Sequence, residues 1–576
     1  MKIRTDLLSR LLVLCLLGGA SALSVFGYSN ALIEAVRNDD RAGVAALLSR
    51  HADVNAQEAD GATALAWAAV RSNVKIASLL LDAGANPDLT NEQGIGPLYL
   101  AITNGSMAMV KLLLAKGADP NIARTDGESA LMTATHLGQV EMVKMLLDRG
   151  AQVNAREKRF EQNALMWAAG HPEATRLLVE RGADVQATSK VWDITATIYT
   201  PTTATLGKTG IPWNNDGTYT SKQGGQNALL FAVEQHDLES AEILLKAGGD
   251  VNVRAADGTT PLLAALYKWD PLGKEFVGGK GAPAPAGSSA RFGGDLAMAA
   301  FLLDDGARVN VADGAGYTPL HGAALVAASI TTQGRDKSAY GGHRALGKTG
   351  NEKPLDPETQ AKLDEALEMV KRLLDAGADP NRQTLYPTSG PVGDVRINPA
   401  PPGSTPFHIA ADSDCLPLVK MLADYHANPN LLRKDGHSPF SVAVLSTNVE
   451  IVKQMVARGA NLQAIYNPTD HFADPVKPIS LPRGNQTIMH IAAGAQAPKV
   501  IEYLYSLGVP LTAKNSMGET PLDLADERER YREAASHQDG DDSPRIVKRD
   551  TATTDAIKKL LAASTDGSNV ATVKPR

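Results

Sequence analysis

Residues 117–151 read GADPNIARTDGESALMTATHLGQVEMVKMLLDRGA, and this stretch decides the fold. Ser129 is placed to cap a helix from Ala130 to His136, because its hydroxyl can accept hydrogen bonds from the first free backbone amides. A second helix is predicted from Val140 to Asp148. It ends before Gly150, a residue suited to the left-handed conformation that closes many helices. The residues between one closing glycine and the next cap predict an extended hairpin, called a finger below.

The same unit recurs eleven times along the 576 residues. The alanine that closes each unit, or the residue in its place, falls at positions 52, 85, 118, 151, 183, 249, 307, 378, 427, 460 and 509. The spacings are 33, 33, 33, 32, 66, 58, 71, 49, 33 and 49 residues. A fixed period between 20 and 50 residues is typical of a solenoid, in which each unit contacts mainly its neighbours.

The capping and helix-ending positions follow the same rule in almost every unit. Nine of the eleven helix-ending positions are glycine, and His51 and His426 occupy the other two, so we expect strained helix caps there rather than ligands. Gly96 is the exception among the capping positions. The remaining caps are Thr, Ser or Asn: Thr63, Ser129, Asn163, Asn227, Thr260, Thr318, Thr405, Ser438, Thr487 and Thr520.

Two alternating signatures resemble the ankyrin repeat. One is Gly117-Ala118-Asp119-Pro120-Asn121 running into Asp126-Gly127; the other is the TPLHGAA opening at 318–324 and the TPFHIAA opening at 405–411. The resemblance covers roughly 29 to 565. It implies an all-α repeat solenoid of about 11–12 helix-turn-helix units with β-hairpin fingers, forming an elongated curved stack. It also implies that its function is to bind another protein.

The resemblance further assigns a role to His321, His408 and His490, which share the fourth position of the opening motif. It implies that they form hydrogen bonds between repeats. A metal site is disfavoured, because the three lie in separate repeats 82 or more residues apart. We expect no metal and no cofactor. Trp67 and Trp167 occupy the apolar inner position of a first helix, so we expect them in the core.

The 33-residue spacing also locates the segments that do not belong to the repeats. The predicted organisation is: signal peptide 1–22; repeats 1–5 at 29–187; a finger insertion at 188–225; repeats 6–11 and the start of 12 at 226–526, with insertions near 270–294, 329–360, 384–403 and 467–485; a charged insertion at 527–552; the last helix at 553–565; and a disordered tail at 566–576.

The first 22 residues predict export. Lys2 and Arg4 precede an apolar stretch, and Ala20-Ser21-Ala22 fits a signal-peptidase site. The alternative is an uncleaved anchor, since the apolar stretch to Phe26 is long enough to span a membrane. Cleavage would change the formal charge from −7 to −9, because it removes three basic residues and one acidic residue. An acidic chain without a basic run disfavours nucleic acid and anionic membrane surfaces as partners.

Cleavage would also leave Cys415 as the one cysteine of the mature chain, which excludes an intramolecular disulfide. Cys415 falls where the turn between two helices is expected. We interpret it as a bystander thiol; a redox or intermolecular role is the alternative. We expect a periplasmic or secreted monomer.

Long insertions in a regular scaffold are often functional. The finger insertions hold aromatic side chains, which suit interface anchors; the alternative is that they only pin each insertion to the scaffold. Residues 213–217, WNNDG, predict a turn. The candidate partner-binding residues are Trp192, Tyr199, Trp213, Tyr219, Tyr386, Tyr466 and Phe472.

No motif in the sequence indicates an enzyme. Residues 342–349, GHRALGKT, match the phosphate-loop pattern. That loop needs a strand before it and a helix after it, and here Gly350 and Pro354 forbid the helix. The sequence therefore favours an exported scaffold or adaptor that binds a partner protein through the concave face and the enlarged fingers. The alternatives are a periplasmic assembly or protective factor for an exported enzyme, and an enzyme whose site is built from the insertions.

Overall fold

A computed structural model describes residues 31–201, 213–266, 294–332, 355–385, 403–467, 484–527 and 551–565, without the side chains of 194–221. The chain divides into two compact units. Unit 1 comprises 1–192 and 222–256, and unit 2 comprises 193–221 and 257–576. The predicted signal peptide, the phosphate-loop match and the predicted tail lie outside the described residues.

Unit 1 is a stack of helix pairs. In its described part, each first helix packs on the next first helix, and each second helix packs on the next second helix. The pairs are α1 (Ala31–Arg37) and α2 (Arg41–Ser49), α3 (Ala64–Val70) and α4 (Val74–Asp82), α5 (Pro97–Thr103) and α6 (Met107–Ala115), α7 (Ala130–His136) and α8 (Val140–Asp148), α9 (Ala164–Trp167) and α10 (Pro172–Glu180), and α11 (Ala228–Glu234) and α12 (Leu238–Lys246).

Unit 2 repeats this arrangement. Its helices are α13 (Pro261–Leu266) and α14 (Leu296–Asp304), α15 (Pro319–Thr332) and α16 (Pro357–Asp375), α17 (Pro406–Asp412) and α18 (Leu416–Asp424), α19 (Pro439–Leu445) and α20 (Val449–Ala457), α21 (Ile488–Gly494) and α22 (Pro498–Ser506), and α23, which includes 521–527, with α24 (Ala552–Thr565). We number the pairs as repeats 1–12 through both units. The predicted all-α ankyrin-type repeat fold is confirmed.

Eight of the ten predicted side-chain caps accept a backbone amide of their helix: Thr63, Ser129, Asn163, Asn227, Thr260, Thr405, Ser438 and Thr520. The Ser129 hydroxyl accepts the amide of Met132 at 3.2 Å, and Gly96 makes no side-chain cap bond. The helix-ending glycines adopt positive φ, for example 88° at Gly150. His51 and His426 adopt the same conformation, at 57° and 62°. Both histidines are therefore helix caps, as the sequence predicted.

The asparagine of the closing motif explains why consecutive units stack in one register. Asn121 donates from its side chain to the carbonyl of Gly150 at 3.1 Å and accepts from the amide of Gln152 at 2.8 Å. One side chain thus satisfies two backbone groups of the next repeat, at the helix end where carbonyls lack partners. The same carbonyl bond to the next helix end is made by Asn55, Asn154, Asn310, Asn381 and Asn430.

The insertions differ in part from their predicted form. Residues 213–217 are not a turn but belong to strand β2 (Trp213–Gly224), which pairs with β1 (Val191–Pro201) in a two-stranded sheet. The insertion near 467–485 is closed at its base by β3 (Ile465–Tyr466), antiparallel to β4 (Gln486–Thr487). The residues that follow, 218–220, are Thr, Tyr and Thr, which favour strands, and the strand extends back through 213–217 although Asn, Asp and Gly are depleted in strands.

Repeat 8 departs most from the regular unit. Its first helix α15 has 14 residues and its second helix α16 has 19, whereas the corresponding helices of repeat 4 have 7 and 9. The insertion predicted near 329–360 is therefore shorter than expected, because both ends of that segment continue the flanking helices. Leu363 in the extra turns of α16 is buried, as are Val326 and Ile330 in α15.

Most buried side chains of the described residues are Ala, Leu, Val, Ile and Met, and the largest fully buried ones are Tyr317, Tyr466, Phe407 and Phe440. Cys415 lies immediately before α18, as predicted, and is 1% exposed. Among the described residues, no helix combines the length and the apolar character that a membrane-spanning helix needs.

Candidate protein-binding surface

The histidines of the opening motif hold neighbouring repeats together in unit 2. In His408, Nδ1 accepts the backbone amide of Thr405 at 3.0 Å, and Nε2 donates to the carbonyl of His437 in the next repeat at 3.2 Å. His321 makes the corresponding bonds to Thr318 and Ser404. His490 makes them to Thr487 and Glu519. The predicted hydrogen bonds between repeats are confirmed.

Burial controls the charge of these imidazoles. It lowers the pKa of His321 to about 4 and, together with the nearby charge of Arg433, the pKa of His408 to about 3. Burial also lowers the pKa of His490. Neutral imidazole is the form that can accept at Nδ1 and donate at Nε2 at once. Within the described part of the chain, no group of three His, Cys, Asp or Glu side chains has a metal-binding arrangement.

In unit 1, a row of aromatic side chains follows the first helices. Trp67 in α3 is 7% exposed, and its indole nitrogen donates to the Glu58 carboxylate at 2.7 Å. The Arg37 guanidinium lies 4.1 Å from the centre of the Trp67 ring and donates to the same carboxylate at 2.6 Å. Arg37 comes from the end of α1, so this cluster joins the first helices of repeats 1 and 2.

In repeats 4 and 5 too, a side chain at the end of one first helix contacts the tryptophan ring of the next first helix. His136, at the end of α7, makes an edge-on contact with Trp167 in α9, with ring centroids 5.5 Å apart. The Trp167 indole nitrogen donates to Gln162 at 2.9 Å. Burial and the neighbouring charge of His171 lower the pKa of His136, so this imidazole is neutral at pH 7. Trp67 is a core residue as predicted, whereas Trp167 is only half-buried.

Tyr99 lies in the first helix of repeat 3, three residues after the capping position, where unit 2 has His321, His408 and His490. Arg124, from the next finger, lies 5.5 Å from the centre of the Tyr99 ring and donates to its hydroxyl at 3.2 Å. Arg124 also donates to Glu128 at 2.7 Å. Burial and the Glu128 charge raise the pKa of Tyr99. We call Trp67, Tyr99 and Trp167, with their fingers and polar partners, the first-helix face.

The residues at the base of the first finger insertion pack on the preceding finger within unit 1. Trp192, at the start of β1, packs against Phe160 of the preceding finger, with ring centroids 5.1 Å apart. The amide of Lys190 donates to the carbonyl of Phe160 at 2.7 Å. Gly224 ends β2 with φ +86°, and a β-carbon there would lie 2.6 Å from the Trp192 ring. Contact between Trp192 and a partner stays a prediction.

The other predicted aromatic residues are distributed as follows. Tyr466 is 2% exposed, and its hydroxyl hydrogen-bonds the Ser438 hydroxyl at 3.3 Å. It pins the base of its insertion to repeat 10, which matches the alternative role given above, and it is not included in the proposed surface. Tyr199, Trp213 and Tyr219 lie in β1 and β2, but their side chains are outside the described structure. Tyr386 and Phe472 lie outside the described residues.

Sequence reasoning missed Tyr99, Arg124 and Phe160. Each belongs to a regular repeat or finger, whereas the aromatic side chains that suggested binding lie in the insertions. The position of Tyr99 in its repeat could have identified it: Trp67 and Trp167 stand four residues after their caps, and Tyr99 stands three after its cap. Unit 1 therefore carries these aromatic side chains in its regular repeats and fingers.

Comparison with known families and proteins agrees with the fold. A family model described as ankyrin repeats (3 copies) matches residues 32–124, 109–189 and 359–466. A second, described as ankyrin repeats (many copies), matches 473–525.

Relatives share short stretches with this chain. A BTB/POZ domain and ankyrin repeat-containing protein, NPR5, from Oryza sativa is 32% identical over 96 residues, which is 17% of this chain and 16% of that protein. Neurogenic locus notch homolog protein 1 from Xenopus tropicalis is 44% identical over 69 residues, which is 12% of this chain and 3% of that protein. The matches thus cover under a fifth of either relative. The motifs, the stacked helix pairs and the two matching family models together show that this chain belongs to the ankyrin-repeat family.

Proposed function

We propose that the chain is an exported scaffold or adaptor that binds a partner protein through the first-helix face and the enlarged fingers. Ankyrin-repeat relatives suggest a protein–protein interaction role. The observation that carries the proposal is the first-helix face, in which Tyr99 and Trp167 are half-buried and Trp67 is part of the core beneath the surface.

This face has the properties of an interface anchor. All three rings are held by a hydrogen bond at their polar atom: Trp67 donates to Glu58, Trp167 donates to Gln162, and the Tyr99 hydroxyl accepts from Arg124. Tyr and Trp are the residues most enriched among those that dominate binding energy. Side chains that are already ordered lose less conformational entropy on binding. A face built in this way supports recognition by rigid display.

Export is the second element of the proposal and rests on the residues that precede the repeats. A basic start, an apolar stretch and the Ala20-Ser21-Ala22 site support cleavage after Ala22. Expression of the full chain, fractionation of the cells and mass determination of the exported product test this. A product that begins at Leu23 supports the proposal, and a full-length cytoplasmic product contradicts it.

Binding is tested by capture from the exported fraction with the tagged chain that lacks residues 1–22. We expect one stoichiometric partner. The double variant Tyr99→Ala/Trp167→Ala should weaken capture at least tenfold, because it removes two anchors while the helices remain. Tyr503→Ala is the matched control: it removes a half-buried aromatic ring from the second helix α22 and should change capture by less than twofold. Equal capture by all three proteins would contradict the assignment of the first-helix face.

Deletion of 191–223 tests the contribution of the first finger insertion. Capture should weaken, while helical content and melting temperature stay nearly unchanged, because the insertion leaves and rejoins the stack at a single finger. Loss of the fold with retained capture would show that this insertion is structural. Turnover of a substrate by the purified chain alone would favour the enzyme alternative instead.

A further inference from the structure

The fingertips of unit 1 form a continuous row whose charge changes sign. One backbone hydrogen bond, from an amide to a carbonyl, joins each pair of consecutive tips. The amide–carbonyl pairs are Glu92 to Asp60 at 3.2 Å, Thr125 to Gln93 at 3.1 Å, Lys158 to Asp126 at 2.8 Å and Lys190 to Phe160 at 2.7 Å. The first tips carry Asp60 and Glu92. The last carry Lys158, Arg159 and Lys190, in a chain whose formal charge is −7.

The finger of repeat 4 is built so that its basic side chains face outward. This finger is one residue longer than the finger of repeat 3. Its Glu157 is 6% exposed and accepts the backbone amides of Arg159 at 2.6 Å, Phe160 at 2.7 Å and Gln162 at 3.0 Å. The carboxylate is thereby committed to the finger's own backbone. Lys158 and Arg159 remain exposed above it.

The Lys158 ammonium donates to the backbone carbonyl of Thr125 at 3.0 Å, a neutral group that leaves its charge uncompensated. Among the described side chains, none of Lys158, Arg159 and Lys190 has a carboxylate within 4.0 Å, the distance at which Glu161 lies from Arg156. Asp126 instead lies 3.3 Å from Arg124. Glu161 and Asp193 are exposed close by in sequence, but a cluster of like charge whose side chains form no ion pair still attracts a partner of opposite charge.

An apolar ledge lies beside the cations. Phe160 is half-buried between the Arg159 guanidinium, 4.7 Å from its ring centre, and Trp192, at 5.1 Å. Val191 is 48% exposed. We call the six residues Lys158, Arg159, Phe160, Lys190, Val191 and Trp192 the basic–aromatic patch.

We propose that the basic–aromatic patch binds an acidic segment of a partner protein in which Asp or Glu side chains flank an aromatic or aliphatic residue. The inference rests on the proposed scaffold function and adds the chemical class of the partner. Adjacent tips are about 10 Å apart, a distance that an extended segment covers in about three residues. Acidic side chains at that spacing would reach Lys158 and Lys190 together, with an apolar residue on the ledge between them.

A nucleic acid or an anionic membrane fits the row less well. The cationic stretch is short, and the same row carries Asp60 and Glu92 at its other end. A long polyanion lying along the tips would meet both signs. A short acidic segment across the last tips meets only the cations.

The probe is a fluorescein-labelled peptide, Glu-Glu-Phe-Glu-Glu-Phe-Glu-Glu, titrated by anisotropy with the chain that lacks residues 1–22. The double variant Lys158→Glu/Lys190→Glu should raise Kd at least tenfold. The matched control, Lys75→Glu/Lys111→Glu, makes the same change of charge on the second helices α4 and α6, where both lysines are exposed, and should stay within twofold. A peptide with Lys in place of Glu should not bind.

Two results would overturn the inference. One is equal peptide affinity for the two double variants. The other is tighter binding of a 20-nucleotide oligo-dT strand or phosphatidylglycerol vesicles than of the acidic peptide. Circular dichroism of both variants checks that the fold is retained, which the exposure of all four lysines leads us to expect.

The partner capture described above separates this inference from the proposed function. If the wild-type chain captures a partner and Lys158→Glu/Lys190→Glu captures it equally, the inference fails and the scaffold function stands. If the wild-type chain captures no protein, the scaffold function itself fails.

Discussion

At the scale of single residues, the buried histidines make unit 2 sensitive to acid. The folded pKa values, about 4 for His321 and about 3 for His408, lie below the ordinary value of 6.5. Below pH 6.5 the unfolded chain therefore binds protons that the folded chain does not. The free energy of unfolding consequently decreases as the pH decreases. In His408, protonation at Nδ1 would also remove the atom that accepts the hydrogen bond from the backbone amide of Thr405.

We predict that acidification from pH 7 to pH 5 lowers the free energy of unfolding by about 2 kcal/mol for each of these two histidines. Urea unfolding at pH 7, 6 and 5 measures it. His408→Gln should reduce the slope of the free energy of unfolding against pH by about 1 kcal/mol per pH unit in this window, whatever its effect on stability at pH 7. An unchanged slope would contradict the assigned pKa of His408.

Asp313 acts in the opposite direction. Burial raises its pKa to about 6, above the ordinary 3.8, although its Oδ1 accepts the amides of Ala315 and Tyr317, each at 2.9 Å. Its charge therefore destabilises the folded state above pH 6, and acid relieves this between pH 6 and pH 4. Between pH 7 and pH 5, protonation of Asp313 therefore raises the free energy of unfolding by about 1 kcal/mol, which offsets part of the decrease caused by the two histidines.

Asp313→Asn should consequently stabilise unit 2 at pH 7, by up to about 3 kcal/mol. The amide oxygen can still accept from both backbone amides, while the buried charge is gone. The gain should disappear at pH 4, where the wild-type carboxyl is already protonated in the folded state. Thermal unfolding at the two pH values compares them, and a gain of equal size at both would show that the charge is not the cause.

At the scale of elements, the sequence motifs predicted the features that depend only on local backbone geometry. Gly150 is needed where φ is 88°, and Asn121 is needed where two backbone groups of the next repeat require a partner. These requirements repeat in every regular unit, so the repeats could be located from sequence. The clusters of the first-helix face were not predicted, because Arg37 meets Trp67 only after two repeats have stacked.

The long helices of repeat 8 were missed for a different reason. The Gly- and Ser-bearing run at 333–353 predicts a loop, and the loop was extended in both directions over residues that continue the helices. Leu363, Leu367 and Val370 have the i, i+4, i+7 spacing of a helix face. That spacing could have identified the start of α16.

We predict that Leu363→Ala lowers the free energy of unfolding by about 2–4 kcal/mol, because it leaves a cavity where the side chain is now 2% exposed. Lys362→Ala is the control: it changes the adjacent, exposed position of the same helical turn, where surface substitutions cost under about 0.5 kcal/mol. Urea unfolding compares the two. Equal, small effects would mean that the added turns of α16 carry no core.

At the scale of the whole molecule, the fold is a succession of neighbour contacts. The hydrogen bonds of Asn121 and the charge pair of Arg181 with Asp148 (2.7 Å) each reach one repeat along the chain. The histidine bonds of unit 2 do the same. The stability of such an array is a sum of repeat and nearest-interface contributions, so damage to one repeat should remain local.

Hydrogen exchange measures this directly in a matched pair of variants. Leu113 in α6 and Leu422 in α18 are both fully buried, at 0% exposure, and each change to Ala should cost about 2–5 kcal/mol. Leu422→Ala should speed amide exchange in repeats 8–10 and leave repeats 1–3 at the wild-type rate, and Leu113→Ala should do the reverse. Acceleration of exchange throughout the chain by either variant would contradict neighbour-limited stability, because it requires all the repeats to open together. A local response would explain how insertions accumulate in repeats 7–12 while the aromatic row of repeats 2–5 keeps its geometry.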